Sequence, residues 1–289
     1  MKRILTITAL VLLLCATVLS SAACMNRNAQ ITVDACWERY ETLEYSMHDS
    51  DFIANPVVGT LRIDLNSYLS DDDKVLSFDG ENRTYSSATV RINEKLERIN
   101  DYRIDTEILA YNYTVLATNK VFTDVKNGGK DSYSLFSYHD GKNYVYTIRY
   151  HDGTEKSGKI AVGNSNYTDN EFLYYYVRCY DIGSVPSKTK VADPFADKAY
   201  TLACSNVGTV KVGTEITNTD KKIKGIVDCN KVSISFTSNP VGSSINVYYV
   251  PEEIEEGDYG LKSRKFPAKI EENNVTFVLK DYSASYYKD

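Results

Sequence analysis

From Val58 onward, apolar and polar side chains alternate with a period of two. Leu61, Ile63 and Leu65 interleave with Arg62, Asp64 and Asn66. The same rhythm returns in Leu109, Tyr111, Tyr113 and Val115, in Val232, Ile234 and Phe236, in Ile245, Val247 and Tyr249, and in Val275, Phe277 and Leu279. Successive side chains of an extended chain leave opposite faces, so each run predicts a strand with one wet and one buried face. One-sided burial belongs to antiparallel rather than parallel sheets. The pattern therefore predicts an α+β, β-dominated protein.

Two stretches depart from that rhythm. Asp34 can cap a helix through about Tyr45, with Cys36, Tyr40 and Leu43 on one face and Trp37 beside them, although its tyrosines and threonine keep a strand open. A second short helix is expected around Ile92–Ile99, where apolar residues fall at 92, 96 and 99.

The clearest local signal is a near-repeat: Tyr138-His139-Asp140-Gly141 returns as Tyr150-His151-Asp152-Gly153. Asp-Gly supplies the positive φ angles of tight hairpin turns, so a three-stranded meander is predicted from about Ser132 to Val162, with Tyr144, Tyr146, Ile148 and Tyr150 in one stripe. The dense aromatic run from Glu171 to Tyr180 reads as a buried strand or a short helix. Residues 181–199, with Pro186 and Pro194 among serines, lysines and aspartates, form the best candidate for a long connection. One β-rich domain over 31–289 is expected, with 181–199 as the place where a split would fall.

The N-terminus follows a different logic. Lys2 and Arg3 precede an apolar stretch from Ile4 to Leu19 and then Ser20-Ser21-Ala22-Ala23-Cys24, the order of charge, grease and small residues that export machinery reads. Residues 1–23 are thus expected to be a signal peptide and 24–30 a short polar tether. The run is too short to cross ~30 Å of hydrocarbon comfortably. Small residues before Cys24 resemble the lipobox of bacterial lipoproteins, in which that cysteine receives a diacylglyceryl group, except that Ser21 stands where leucine is usual. Ser21 and Ala23 also satisfy ordinary signal peptidase. The first reading implies a secreted chain anchored by lipid at the bacterial membrane or cell surface, with no other membrane-binding surface needed.

If Cys15 leaves with the signal and Cys24 is acylated, Cys36, Cys179, Cys204 and Cys229 remain. An even number in an oxidising compartment can close two disulfides, in any of three pairings, or stay as four buried thiols. There is no C-x-x-C and there are only three histidines, so no zinc site is expected. The formal charge is −6, and removing Lys2 and Arg3 with the signal makes it −8. A body of that sign is a poor partner for nucleic acid or anionic head groups.

No catalytic signature is found: no nucleophile elbow, no H-E-x-x-H, no phosphate loop and no dinucleotide fingerprint. Gly128-Gly129-Lys130 reads as a turn. Ser187-Lys188-Thr189-Lys190 matches S-x-x-K but lies in a proline-bearing stretch without the companion motifs. His48, His139 and His151 each precede an aspartate, but at 139 and 151 the aspartate is a turn residue. The acidic clusters Asp71-Asp72-Asp73 and Glu252 to Asp258 lack the spacing of a calcium loop and read as solvated turns. No cofactor or metal is expected. Tyrosine occurs 24 times against a single tryptophan, Trp37. It suits sheets, interfaces and sugar-stacking surfaces alike.

Val212-Gly213-Thr214-Glu215, the strand holding Tyr248-Tyr249-Val250, and Pro267-Ala268-Lys269-Ile270 leading into Val275 to Tyr282 resemble the closing strands of LolA/LppX-like exported lipoproteins. The resemblance covers roughly the last 80 residues. It implies a strongly curved antiparallel sheet, a half-barrel, with one or two helices on its concave face and a hydrophobic cavity for acyl chains. The expected function is binding of an apolar or lipidic molecule, not catalysis. The alternative is a surface-displayed β-sandwich module that recognises a glycan or protein through exposed tyrosines.

Overall fold

The computed structural model describes residues 39–49, 56–111, 114–163, 166–180, 185–217, 223–237, 245–250, 254–255, 262–263 and 266–285. Strands β1 (Tyr40–Asp49) and β2 (Val57–Asn66) are followed by a 3-10 turn at Asp72–Lys74 and a small hairpin, β3 (Val75–Phe78) with β4 (Glu81–Thr84). Next come β5 (Val90–Arg98), β6 (Tyr102–Tyr111), β7 (Thr114–Asp124), β8 (Tyr133–His139), β9 (Asn143–Tyr150) and β10 (Glu155–Ala161). The short β11 (Tyr167–Asp169) leads into α1 (Leu173–Arg178), the one α-helix among the described residues. The chain then forms β12 (Lys190–Asp193), β13 (Lys198–Gly213), β14 (Ile226–Thr237), β15 (Ile245–Tyr249), the small pair β16 (Ile254–Glu255) and β17 (Lys262–Ser263), β18 (Pro267–Glu272) and β19 (Val275–Ser285).

Fifteen of these strands make one sheet, in the order β10-β9-β8-β7-β6-β5-β2-β1-β19-β18-β15-β14-β13-β12-β11. Every neighbouring pair is antiparallel except β11 with β12. Strands from both sides of 181–199 belong to this sheet and to one continuous apolar core. The large antiparallel, β-dominated sheet with a helix on it is as expected. The strong curl is not: the sheet is neither closed nor strongly curled, and no ladder joins its two ends, β10 and β11. Side chains rather than a backbone ladder bridge the two end regions. Thr118 Oγ1 on β7 donates to Asp169 Oδ2 on β11 (2.8 Å), and Tyr146 Oη on β9 donates to Asp197 Oδ1 (2.7 Å).

Both expected helices are strands over their described residues. β1 occupies 40–49, with the preceding part of the predicted 34–45 helix outside the described residues, and β5 occupies 90–98. In β1 the side chains of Glu41, Leu43, Tyr45, Met47 and Asp49 are all buried, a period of two carried by alternating packing against the core. In β5 the equivalent row is Val90, Ile92, Glu94 and Leu96.

The meander is present as β8-β9-β10, and Tyr144, Tyr146 and Ile148 are buried in a stripe that reaches the surface at Tyr150. Its turns work differently from expectation. Only Gly141 (φ 92°) and Gly153 (φ 83°) take positive φ. The aspartates act through their carboxylates: Asp140 Oδ1 accepts from the Asn143 N–H (2.9 Å) and Asp152 Oδ1 from the Thr154 N–H (2.9 Å). The predicted run from Leu109 to Val115 is divided between β6 and β7. On the opposite face of β6–β8 the β3–β4 hairpin covers a small second core of Leu76, Ala88, Leu109, Ala117 and Phe136, with Phe78 stacked on Phe136 at 4.9 Å.

Candidate functional site

Six residues are too few for a helix to persist alone, and the sequence of α1, Leu-Tyr-Tyr-Tyr-Val-Arg, has no polar face to turn toward water. It persists because it is buried against the sheet. Asp169 Oδ1 accepts the Phe172 N–H (2.8 Å) just ahead of its first turn. The helical period sends its successive tyrosines in different directions, where a strand would have put Tyr174 and Tyr176 on one side.

Each direction ends on a polar partner. Tyr174 donates to Glu272 at the end of β18, Tyr175 donates to Glu94 on β5 (2.5 Å), and Tyr176 meets Thr189 Oγ1 (3.1 Å). Tyr249 Oη on β15 donates to the carbonyl of Tyr174 (2.8 Å). Burial, and for Tyr174 and Tyr175 the neighbouring carboxylates, hold these two hydroxyls well above the ordinary tyrosine range, so both stay protonated donors. α1 thus fixes strands of both halves of the sheet by hydrogen bonds to their inward-facing residues.

Between the start of α1 and that inner face lies a cleft of about 480 Å³. A volume of that order suits a small molecule. Its apolar lining comprises Met47, Leu96, Ile104, Leu173, Ile245 and Phe277, among others; Tyr102, Tyr200 and Phe236 add aromatic surface. Charged groups share the lining. Lys120 Nζ donates to both oxygens of Glu171, at 2.9 and 3.0 Å. Burial works against the Lys120 charge, but the Glu171 carboxylate outweighs it and holds the ammonium above its ordinary value. Glu94, Glu272 and Asp193 complete the charged lining.

Burial pushes Glu94 up to about 7, with the Glu171 charge adding to it and the Tyr175 hydrogen bond opposing it. Glu272 is raised for the same first reason, with Tyr174 as the opposing donor. Beneath the cleft, Asp169 is fully buried and raised to about 6, by burial first and the Glu171 charge second. Glu94 and Asp169 therefore change charge near neutral pH, where exposed carboxyls would not.

None of these residues was singled out from the sequence. The available signal was the placement of acids in rows otherwise apolar: Glu94 follows Val90 and Ile92, and Glu272 follows Ala268 and Ile270. Reading 92–99 as a helix put Glu94 on a polar face and hid it.

The residues that the sequence did single out are not gathered here. Cys24 and Cys36 lie outside the described residues. Cys179 is buried just after α1, while Cys204 on β13 and Cys229 on β14 are free thiols. Cys204 stands opposite Ile234 and Cys229 opposite Val210, so roughly 16 Å of strand separates them, too far for a bond to each other. Burial pushes both thiols up to about 12.

His48 meets Glu215 at 2.7 Å. His139 stacks on Tyr167 at 3.8 Å, and His151 is exposed in the second hairpin turn. Ser187 is exposed, while Lys190 Nζ donates to Thr201 Oγ1 (2.9 Å). Gly128 and Gly129 form a turn, with the Gly129 N–H on the Asp124 carbonyl (2.8 Å). Asp73 accepts from Ser70 within its own turn; of the second acidic cluster only Glu255 is described, on β16. Among the described residues no group of three or more His, Cys, Asp and Glu side chains is arranged to hold a metal. No described helix is long and apolar enough to cross a membrane.

A second concavity of about 640 Å³ lies on the opposite face of the sheet, with Lys211, Lys231, Lys269 and Tyr248 in its lining. Two of its lysines are already engaged: Lys269 with Glu271 at 2.6 Å, and Lys231 over the Tyr248 ring at 5.4 Å.

No protein-family model matches the chain, and no curated protein matches it. Among solved structures it is similar to the crystal structure of a beta-barrel-like protein of domain of unknown function DUF1849 from Brucella abortus, at 9% sequence identity and a TM-score of 0.49, over 86% of this chain and 98% of that one.

Proposed function

We propose that this chain is an exported binding protein that holds an apolar or amphipathic small molecule, such as a lipid, in the cleft between α1 and the inner face of the sheet. The observation that carries the reading is the cleft itself, which Met47, Leu96 and Phe277 line together with tyrosines and carboxyls held in fixed positions. Binding is favoured over catalysis because the groups nearest to reactivity are tied down. Lys120 is neutralised by Glu171, and the cleft tyrosines remain protonated donors.

Export and acylation at Cys24 belong to the same proposal and rest on the N-terminal sequence. On this reading the lipid at Cys24 supplies the membrane attachment, and the LolA/LppX-like resemblance of the last strands gives the ligand class. The glycan- or protein-binding alternative draws less support: the most exposed tyrosines among the described residues are Tyr68 in the bend after β2, Tyr111 at the end of β6 and Tyr150 at the end of β9, and Tyr68 is covered by Arg39 at 3.6 Å.

The test is native mass spectrometry of the protein purified from its membrane fraction, with solvent extraction of any adduct. A discrete bound mass that Leu96→Trp or Ile104→Trp abolishes by filling the cleft is the expected result. An empty protein that also fails to take up an apolar fluorescent probe would reject the reading.

A further inference from the structure

We propose that the head group seated in this cleft is an organic cation, so that the occupant is a cationic amphiphile with its ammonium between Glu94 and Glu272 and its hydrocarbon against the apolar lining. The proposal rests on the reading of the cleft as a ligand site and names the class of molecule it selects.

Three observations carry it. First, the acids outnumber the bases. Glu94, Glu171, Asp193 and Glu272 line the cleft with Lys120; Lys120 bonds both oxygens of Glu171, and Asp193 accepts the Phe195 and Ala196 N–H groups. Second, Glu94 and Glu272 are each bonded at a single oxygen. Tyr175 holds Oε1 of Glu94 and Tyr174 holds Oε2 of Glu272, and the other oxygen of each has no hydrogen-bond partner among the described residues. Third, these two carboxyls interrupt inward rows of apolar side chains, Val90-Ile92 on β5 and Ala268-Ile270 on β18, so their row neighbours carry no compensating charge, and the one cation that attracts both, Lys120, is bonded to Glu171.

Ligand classes can be ranked from this. A hydrocarbon without a head would cover the open oxygens and leave them without donors, which buried acceptors tolerate poorly. A carboxylate or phosphate head would bring a further negative charge to two acids that the Glu171 charge already repels. An ammonium offers only donors, and attracts the charged form of both carboxyls. The aromatic faces of Tyr102, Tyr200 and Phe236 add surface on which a cation is stable. A metal ion fits less well, since no described cluster is arranged to hold one.

The experiment is a calorimetric comparison of dodecylamine, dodecanol and dodecanoate, below their aggregation concentrations, on the full protein at pH 8. The amine should bind at least tenfold more tightly than dodecanoate, with dodecanol between them. The double variant Glu94→Gln/Glu272→Gln should lose tenfold or more toward the amine while still unfolding cooperatively, and the wild-type ranking stands independently if it does not fold. Equal binding of all three, or preference for dodecanoate, would overturn the cation assignment and leave the cleft reading intact. Binding of none would overturn both.

Discussion

Arg178 at the end of α1 and Glu41 on β1 meet in a two-point ion pair, 2.8 Å at each contact, with 1% and 0% of their side chains exposed. The partners are 137 residues apart in sequence, and the pair fixes the helix to the middle of the sheet. Removing one member strands the other charge in the interior, at a cost of about 3–5 kcal/mol. Chemical denaturation should therefore show Arg178→Ala and Glu41→Ala each strongly destabilised. The double variant Arg178→Met/Glu41→Leu should recover much of the loss, because two apolar side chains leave no orphaned charge. Equal destabilisation of single and double variants would refute this role.

Asp169 links stability to pH. Its folded value of about 6 lies above the ordinary 3.8 through burial and then the Glu171 charge, so between those values the folded state holds more protons than the unfolded one. This stabilising contribution is complete below about pH 4 and is lost as pH rises through about 6, a change on the order of 3 kcal/mol. Asp169→Asn keeps an oxygen for the Phe172 N–H and removes the titration. The difference in unfolding free energy between wild type and variant should change across pH 4 to 7 in that direction. A difference flat in pH would contradict it.

The thiols of Cys204 and Cys229 should be inert in the native state. With both pushed up to about 12 by burial, little thiolate exists at pH 8 to attack an alkylating reagent. Mass spectrometry after iodoacetamide treatment should find neither modified in the folded protein and both modified in denaturant. Rapid native labelling of either would show that its strand opens readily.

The two misread strands share one cause. β1 and β5 each carry an acid, Glu41 and Glu94, in an inward row that is otherwise mostly apolar, and this masks the alternation that made β2, β14, β15 and β19 legible. What makes each acid tolerable is a partner on α1, Arg178 or Tyr175, far along the chain and invisible to any local pattern. The aromatic run was recognised as buried because its composition alone demands it, and helix won over strand because its three tyrosines reach different partners. The candidate site was illegible for the same reason as the strands: it consists of inward acids whose meaning depends on the helix above them. The turn aspartates were found, but their carboxylates rather than their φ angles do the work.

Acylation at Cys24 predicts a change of compartment. Cells fed a labelled fatty acid should incorporate it into the wild-type protein and not into Cys24→Ala, and the variant should move from the membrane fraction to the soluble one. Label retained in the variant would contradict attachment at this residue.

The most direct test of the account is the mass of the protein as it leaves the cell. Native mass spectrometry of wild type beside Leu96→Trp should show an adduct of lipid-like mass on the first and its absence on the second, with both unfolding cooperatively. A wild-type protein that carries no adduct and takes up no apolar probe would contradict the claim that the cleft exists to be filled.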